Sequence, residues 1–169
     1  VRQCGDPYAS QNDGRGFAVE GFRLGRLALD DMGWAARVHR AAFDARLPWL
    51  AGLHTPEEDR WFYRERVIVS SVVWGAFGEE RLLGIIAFRE DWIDQLSVLP
   101  DAQGRGVGSA LLDIAKRQAT ELSLWTFQRN EGARRFYERH DFSPVRETDG
   151  SENEEREPDV LYRWVAKIT

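Results

Sequence analysis

Between Leu96 and Gln118 the chain reads LSVLPDAQGRGVGSALLDIAKRQ: an apolar run ending at Leu99 and Pro100, a glycine-rich turn, then an amphipathic stretch. Val107, Ala110, Leu111, Ile114 and Ala115 recur at helical spacing, so one face of a helix that begins near the glycines is committed to a core. The first N–H groups of such a helix have no intrahelical partners and carry about half a unit of positive charge. Glycines at that point let an anion approach the main chain closely. Spacing narrows the choice of anion. A nucleotide-hydrolysing loop needs a lysine after its last glycine, and none follows here. A dinucleotide fingerprint needs Gly-x-Gly-x-x-Gly, but Gly104 and Gly106 are followed by Val107, Gly108 and Ser109, which is out of register.

The turn reads instead as Gln-x-x-Gly-x-Gly, on Gln103, Gly106 and Gly108, after an apolar strand. That pattern resembles the pyrophosphate-binding motif of the GNAT superfamily of acetyl-CoA-dependent N-acetyltransferases. A second stretch, Asn130-Glu-Gly-Ala-Arg-Arg-Phe-Tyr-Glu-Arg-His-Asp-Phe142, resembles the other signature of that family, Asn-x-x-Ala-x-x-Phe-Tyr-Glu-x-x-Gly-Phe. The two occur in the family's order, and the resemblance is close from Val67 to Phe142. One position departs from it, because Asp141 stands where the family usually has glycine. A helix often ends there on a left-handed residue. Aspartate tolerates that conformation at a cost of roughly 1 kcal/mol relative to glycine.

Around this centre the pattern is regular. Phe17 to Leu27 can supply a first strand, and Asp30 or Asp31 can cap a helix with Met32, Ala35, Ala36, His39, Ala42 and Phe43 on one face. An aromatic loop with two prolines follows. Thr55-Pro56-Glu57-Glu58 is a strong start for a second helix, to about Arg66, with threonine as cap and Glu58 closing a capping box. Strands are expected over Val67 to Phe77, Arg81 to Phe88 and Trp92 to Leu99. After the central helix come a strand over Leu122 to Phe127, a helix over Asn130 to His140, and strands over Phe142 to Glu147 and Val160 to Ile168. The expected class is α+β, a mixed and mainly antiparallel sheet with helices on both sides, in the order of the GNAT fold.

With 169 residues, of which 43% are hydrophobic, the chain suits one domain with a proper core and is too short for two ordinary ones. Residues 1–16 lack periodicity and are expected to be a flexible extension, with a single domain over 17–169. The formal charge of −5 argues against a general nucleic-acid binder and suits a cationic acceptor. Cys4, alone, forms no internal disulfide, and no signal-like or membrane-length apolar stretch stands out, so the reading is cytoplasmic, without a membrane partner. His39, His54 and His140 are too scattered for a metal site.

The resemblance implies a chemistry. In the family, acetyl-CoA enters where the strand before the glycine turn splays from the strand after the central helix. Backbone groups near Val98 and Leu99 would pair with the pantetheine arm. Main-chain N–H groups of Gln103, Gly104, Arg105, Gly106, Val107, Gly108 and Ser109 would hold the pyrophosphate, and the Arg105 side chain either adds a phosphate contact or stays in solvent. Asn130 would bond the pantetheine or the helix entrance, or simply cap the helix. The acceptor amine attacks the thioester directly, and Tyr137 matches the family tyrosine that protonates the departing sulfur. Some members place a glutamate base where this chain has Trp92. Asp94, two residues on and on the same side of a regular strand, is the candidate base, with Glu90 or a water chain as competitors. Acceptor selection would fall to Trp49, Leu50, His54, Trp61, Phe62 and Tyr63 on one side and Glu152, Glu154, Glu155 and Asp159 on the other. Aromatics and carboxylates together can cage a cationic amine. The acceptor, a small molecule or a peptide, stays open, and so does a homodimer. A CoA-binding sensor without turnover and a nucleotide-binding regulator are the competing readings.

Overall fold

A computed structural model describes residues 16–167; most of the expected N-terminal extension, Cys4 included, lies outside these residues. Strands β1 (Phe17–Val19) and β2 (Phe22–Arg26) lead into helix α1 (Met32–Arg46) and, after a loop, α2 (Pro56–Phe62). The chain stays helical through a π segment (Tyr63–Val67) and one last turn, α3 (Ile68–Ser70). Then follow β3 (Val72–Phe77), β4 (Leu82–Arg89), β5 (Trp92–Val98), α4 (Val107–Gln118), β6 (Glu121–Phe127), α5 (Glu131–Arg139), β7 (Ser143–Thr148) and β8 (Asp159–Val165). The strands form one eight-stranded sheet in the order β1-β2-β3-β4-β5-β6-β8-β7. Every neighbouring pair is antiparallel except β5 and β6, as the α+β reading requires.

The centre of the sheet follows from β4, where every residue from Leu82 to Phe88 is buried. An unbroken apolar run is what a strand covered on both faces needs. On one face α1 and the π segment seal Met32, Ala35, Tyr63 and Val67 against Val73, Ile85 and Ala87. On the other, α4 and α5 press Val107, Leu111, Leu112 and Tyr137 against Ile86, Leu122, Leu124 and Tyr162. Burying each such aliphatic side chain contributes about 1.5–3 kcal/mol. Gly84 permits the closest approach: a Cβ there would lie 2.9 Å from Val107 Cγ1 and 3.2 Å from Leu111 Cδ1.

Two boundaries differ from expectation. Phe17 to Leu27 is a hairpin and not one strand, because Gly21, at φ +87°, turns the chain at Glu20-Gly21. Val67 to Val69 is helical although β-branched, and the strand begins only at Val72. Tyr63 and Val67, four apart on one face, are both buried in the α1 layer, and that packing outweighs the local preference for strand. The predicted capping box is present: the Thr55 hydroxyl accepts from Glu58 N–H at 3.2 Å and the Glu58 carboxylate accepts from Thr55 N–H at 2.7 Å. Asp141 takes a φ of +65°, the left-handed conformation expected of it.

Candidate active site

β6 makes two very different seams. Along β8 it is paired from Glu121↔Val165 to Phe127↔Asp159. Along β5 it is paired only at Trp92↔Ser123, beside the bond from Ser123 N–H to the Asp91 carbonyl at 2.8 Å. Beyond that point the parallel strands part. The wedge between them opens into a cavity of about 1430 Å³, lined by Ile93 to Val98 of β5 and Leu124 to Phe127 of β6. Pockets for single ligands typically enclose about 300–1,000 Å³, so this one has room for a large ligand and a second molecule beside it.

The glycine turn lies at one end of the wedge. Gly104 and Gly106 have φ of +74° and +82°, and nothing lies within 4 Å of where a Cβ would stand on either. Glycine is required there by conformation, and the space above it is open. Gly106 is the N-cap of α4, so the N–H groups of Val107, Gly108 and Ser109 begin a helix without intrahelical acceptors. Gly108 serves packing instead: a Cβ there would meet the Phe136 ring at 3.3 Å, which lets α5 approach α4. The Ser109 hydroxyl, 2.9 Å from His140 Nε2, ties the two helices further.

Several predicted residues are spent on structure. The Asn130 side-chain oxygen accepts from Ala133 N–H at 3.2 Å, capping α5. Gln103 Nε2 donates to the Val98 carbonyl at 3.1 Å while its oxygen accepts from Arg46. Leu99 donates its N–H to Leu83 at 2.8 Å, and its carbonyl accepts from Ala102 N–H at 2.9 Å. The Leu99 N–H therefore points to β4 and not into the wedge, a correction to the expected pairing. Because Leu99 bonds towards β4, the alternation of an antiparallel ladder turns the main chain of Leu96 and Val98 towards the wedge. Arg105 is exposed and does not line the cavity.

Tyr137 is buried between Phe136, Phe142 and Tyr162, with ring centroids at 5.3, 5.5 and 6.2 Å. It lines the cavity, and its hydroxyl bonds to no described residue. Burial pushes the phenol above its ordinary value, so it holds its proton at neutral pH.

Asp94 also lines the cavity, but β5 is irregular there. Ala87 faces Gln95 and Phe88 faces Ile93, which leaves Asp94 as the extra residue of a bulge. Its carboxylate accepts from the Ser71 hydroxyl at 2.8 Å and from Arg89 Nη2 at 3.0 Å and Nε at 3.1 Å. Both oxygens are engaged. Glu90 sits exposed at the β4–β5 turn, away from the cavity.

The opposite wall comes from α1, α2 and the segment between β7 and β8. His54, Trp61, Phe62, Glu152, Glu154, Glu155 and Asp159 all line the cavity. Trp49 and Leu50 do not; Trp49 Nε1 instead donates to Glu157 at 2.8 Å, and the Arg129 guanidinium lies 4.1 Å over its ring. His54 Nε2 lies 3.4 Å from Glu154, so the α1–α2 loop meets the β7–β8 loop at two points. Tyr63 is a correction: it is 1% exposed in the α1 layer, and its hydroxyl is unpaired. Sequence reasoning missed His39, which lines the cavity from α1. The available signal was an imidazole on an otherwise apolar helical stripe. Among the described residues no group of His, Cys, Asp or Glu is arranged to hold a metal, and no helix is long and apolar enough to cross a membrane.

Comparison with known proteins agrees with this geometry. Residues 69–144 match the acetyltransferase (GNAT) domain family. The uncharacterized N-acetyltransferase YafP of Escherichia coli strain K12 is 34% identical over 91 residues, 54% of this chain and 57% of that protein, so the chain spans little more than half the relative's length. Among solved structures, Escherichia coli YjaB superposes with a TM-score of 0.71 at 21% identity, over 86% of this chain and 99% of that one. The PaiA N-acetyltransferase of Thermoplasma acidophilum, solved with coenzyme A, gives 0.63 at 21% identity over the same shares. Residues 69–144, which hold both sequence motifs and the parting of β5 from β6, are thus similar to the acetyltransferase (GNAT) domain, and the chain shares its fold with these solved structures.

Proposed function

We propose that this protein is an acetyl-CoA-dependent N-acetyltransferase that moves the acetyl group directly to a primary amine in a ternary complex. One observation carries the reading: a wedge between β5 and β6 has the open glycine turn at one end and is lined by Tyr137, whose hydroxyl bonds to no described residue. The name of YafP and the coenzyme A bound to PaiA support the same choice of donor.

The wedge and its turn fit the donor. Backbone N–H groups from Gly104 to Ser109 meet the diphosphate, and the main chain of Leu96 and Val98 faces the pantetheine arm. The acetyl carbonyl then lies along β5. The amine, having given its ammonium proton to water, attacks the carbonyl carbon: the C–N bond forms, the C–S bond breaks, and the nitrogen sheds its one surplus proton. Tyr137 gives its proton to the sulfur and is reprotonated from solvent. Asp94 holds the bulge of β5 through Ser71 and Arg89. The acceptor enters from the α1–α2 side, where Trp61, Phe62, Glu152 and Glu155 favour a cationic amine. Titration calorimetry with acetyl-CoA, followed by thiol release over a panel of amines that includes 1,4-diaminobutane, a lysine-containing peptide and hydroxylamine, tests this. Binding with turnover supports it. Preference for ATP or NAD over acetyl-CoA refutes the donor, and binding without turnover favours the sensor.

A further inference from the structure

We propose that His39 is the proton acceptor of the reaction, taking the proton of the attacking nitrogen on the face of the sheet opposite Tyr137. The inference rests on the acetyl-transfer reading above.

His39 lies on the stripe of α1 that otherwise buries Met32, Ala35 and Ala36 against the sheet. A polar ring on such a stripe is costly unless bonded, and here only one of its two nitrogens is. Nδ1 lies 3.3 Å from the Ser97 hydroxyl. Nε2 forms no hydrogen bond with any described residue, while His39 itself borders the cavity. The rings of Phe43 and Tyr63, with centroids at 5.8 and 5.6 Å, pack beside the imidazole.

Its place relative to β5 gives the ring its role. Ser97 stands between Leu96 and Val98, the two residues whose main chain faces the wedge. Ser97 and His39 therefore approach the strand from the α1 face at the level where a thioester along it would sit. Tyr137 belongs to the cluster on the α4–α5 face. Nucleophile and leaving group are thus served by separate side chains from the two faces of the sheet, so neither proton transfer obstructs the other.

The proton balance is simple. The amine adds to the carbonyl carbon, and the resulting N–H⁺ is far more acidic than a free ammonium, so a weakly basic imidazole suffices. With Nδ1–H donated to Ser97 Oγ, the Nε2 lone pair takes that proton as the C–S bond breaks and Tyr137 protonates the sulfur. Imidazolium then yields its proton to solvent, and the phenol recovers one. Burial lowers the imidazole pKa to about 4, so the ring is neutral and ready at pH 7. Four groups bear on its charge: Arg40 and His54 oppose protonation, while Asp59 of α2 and Asp44 of α1 favour it. Arg40 is bonded to Asp59 at 2.6 and 2.7 Å and to Asp44 at 3.3 Å.

The test uses the panel amine of fastest turnover. His39→Gln should lower kcat about 100-fold while calorimetry shows unchanged acetyl-CoA affinity. His39→Ala should be rescued by added imidazoles, faster with more basic ones. Independently of any acceptor, ¹⁵N NMR of the wild type should show the proton on Nδ1 and the lone pair on Nε2. Activity of His39→Gln within threefold of wild type, loss without rescue in the folded His39→Ala protein, or a proton on Nε2 would each overturn the assignment. Failure of the wild type to bind acetyl-CoA would instead overturn the functional reading.

Discussion

The two walls of the cavity are built from different materials. The wall under the glycine turn offers main chain: open glycines at Gly104 and Gly106, the first N–H groups of α4, and the edge of β5. Its side chains are spent holding that backbone, as Asn130, Gln103 and Ser109 show. The facing wall offers side chains: His39, Trp61, Phe62 and the acidic segment before β8. On the proposed function the two materials suit two tasks: the diphosphate of acetyl-CoA never varies, so fixed amides would suffice for it, whereas choosing one acceptor amine among many would need side chains.

The sharpest way to break this contrast is Gly106→Glu. It places a carboxylate in the anion site and forces a left-handed conformation on a residue with a side chain, so acetyl-CoA affinity should fall by about 1,000-fold, read by calorimetry on protein of unchanged circular dichroism. Tyr137→Phe should cut kcat about 100-fold and leave the KM for acetyl-CoA nearly unchanged, since it removes a proton donor and no binding group. On the other wall, Glu152→Gln with Glu155→Gln should raise the acceptor KM by about three- to tenfold at low salt, and less at high salt. A change in acetyl-CoA affinity from that pair would erase the distinction between walls.

Acid stability probes the side-chain wall from within. The imidazole of His39 resists protonation down to about pH 4, whereas in the unfolded chain it binds a proton near its ordinary 6.5. The unfolded state thus holds more protons in that window, and stability falls as pH drops from about 6.5 to about 4. His39→Gln should flatten that part of the denaturation profile. The smallest effect is expected at the end of α5: Asp141→Gly should add about 1 kcal/mol of stability, seen as a higher urea midpoint, without changing either substrate's KM.

Much of the glycine-turn wall was legible beforehand because its determinants are local. Glycine at Gly104 and Gly106 and the periodicity from Val107 to Ala115 each act within a few residues. Asp141 could be read as left-handed for the same reason. The facing wall was less legible. Tyr63 and Trp61 stand two apart on one helical segment, yet one is in the core and the other borders the cavity. Asp94 keeps its place in the sequence pattern, but a bulge and Arg89 decide what its carboxylate can do.

By itself, then, the sequence determined the strand–turn–helix centre, the second motif on α5 and the α+β class, since these depend on backbone preference and short-range spacing. Only the tertiary structure decided that β5 and β6 part after Trp92↔Ser123, that Leu99 is tied to β4, and that His39 meets Ser97 across 58 positions of chain. Such contacts join residues far apart in sequence, and their geometry is set by how the two helical layers pack on the sheet.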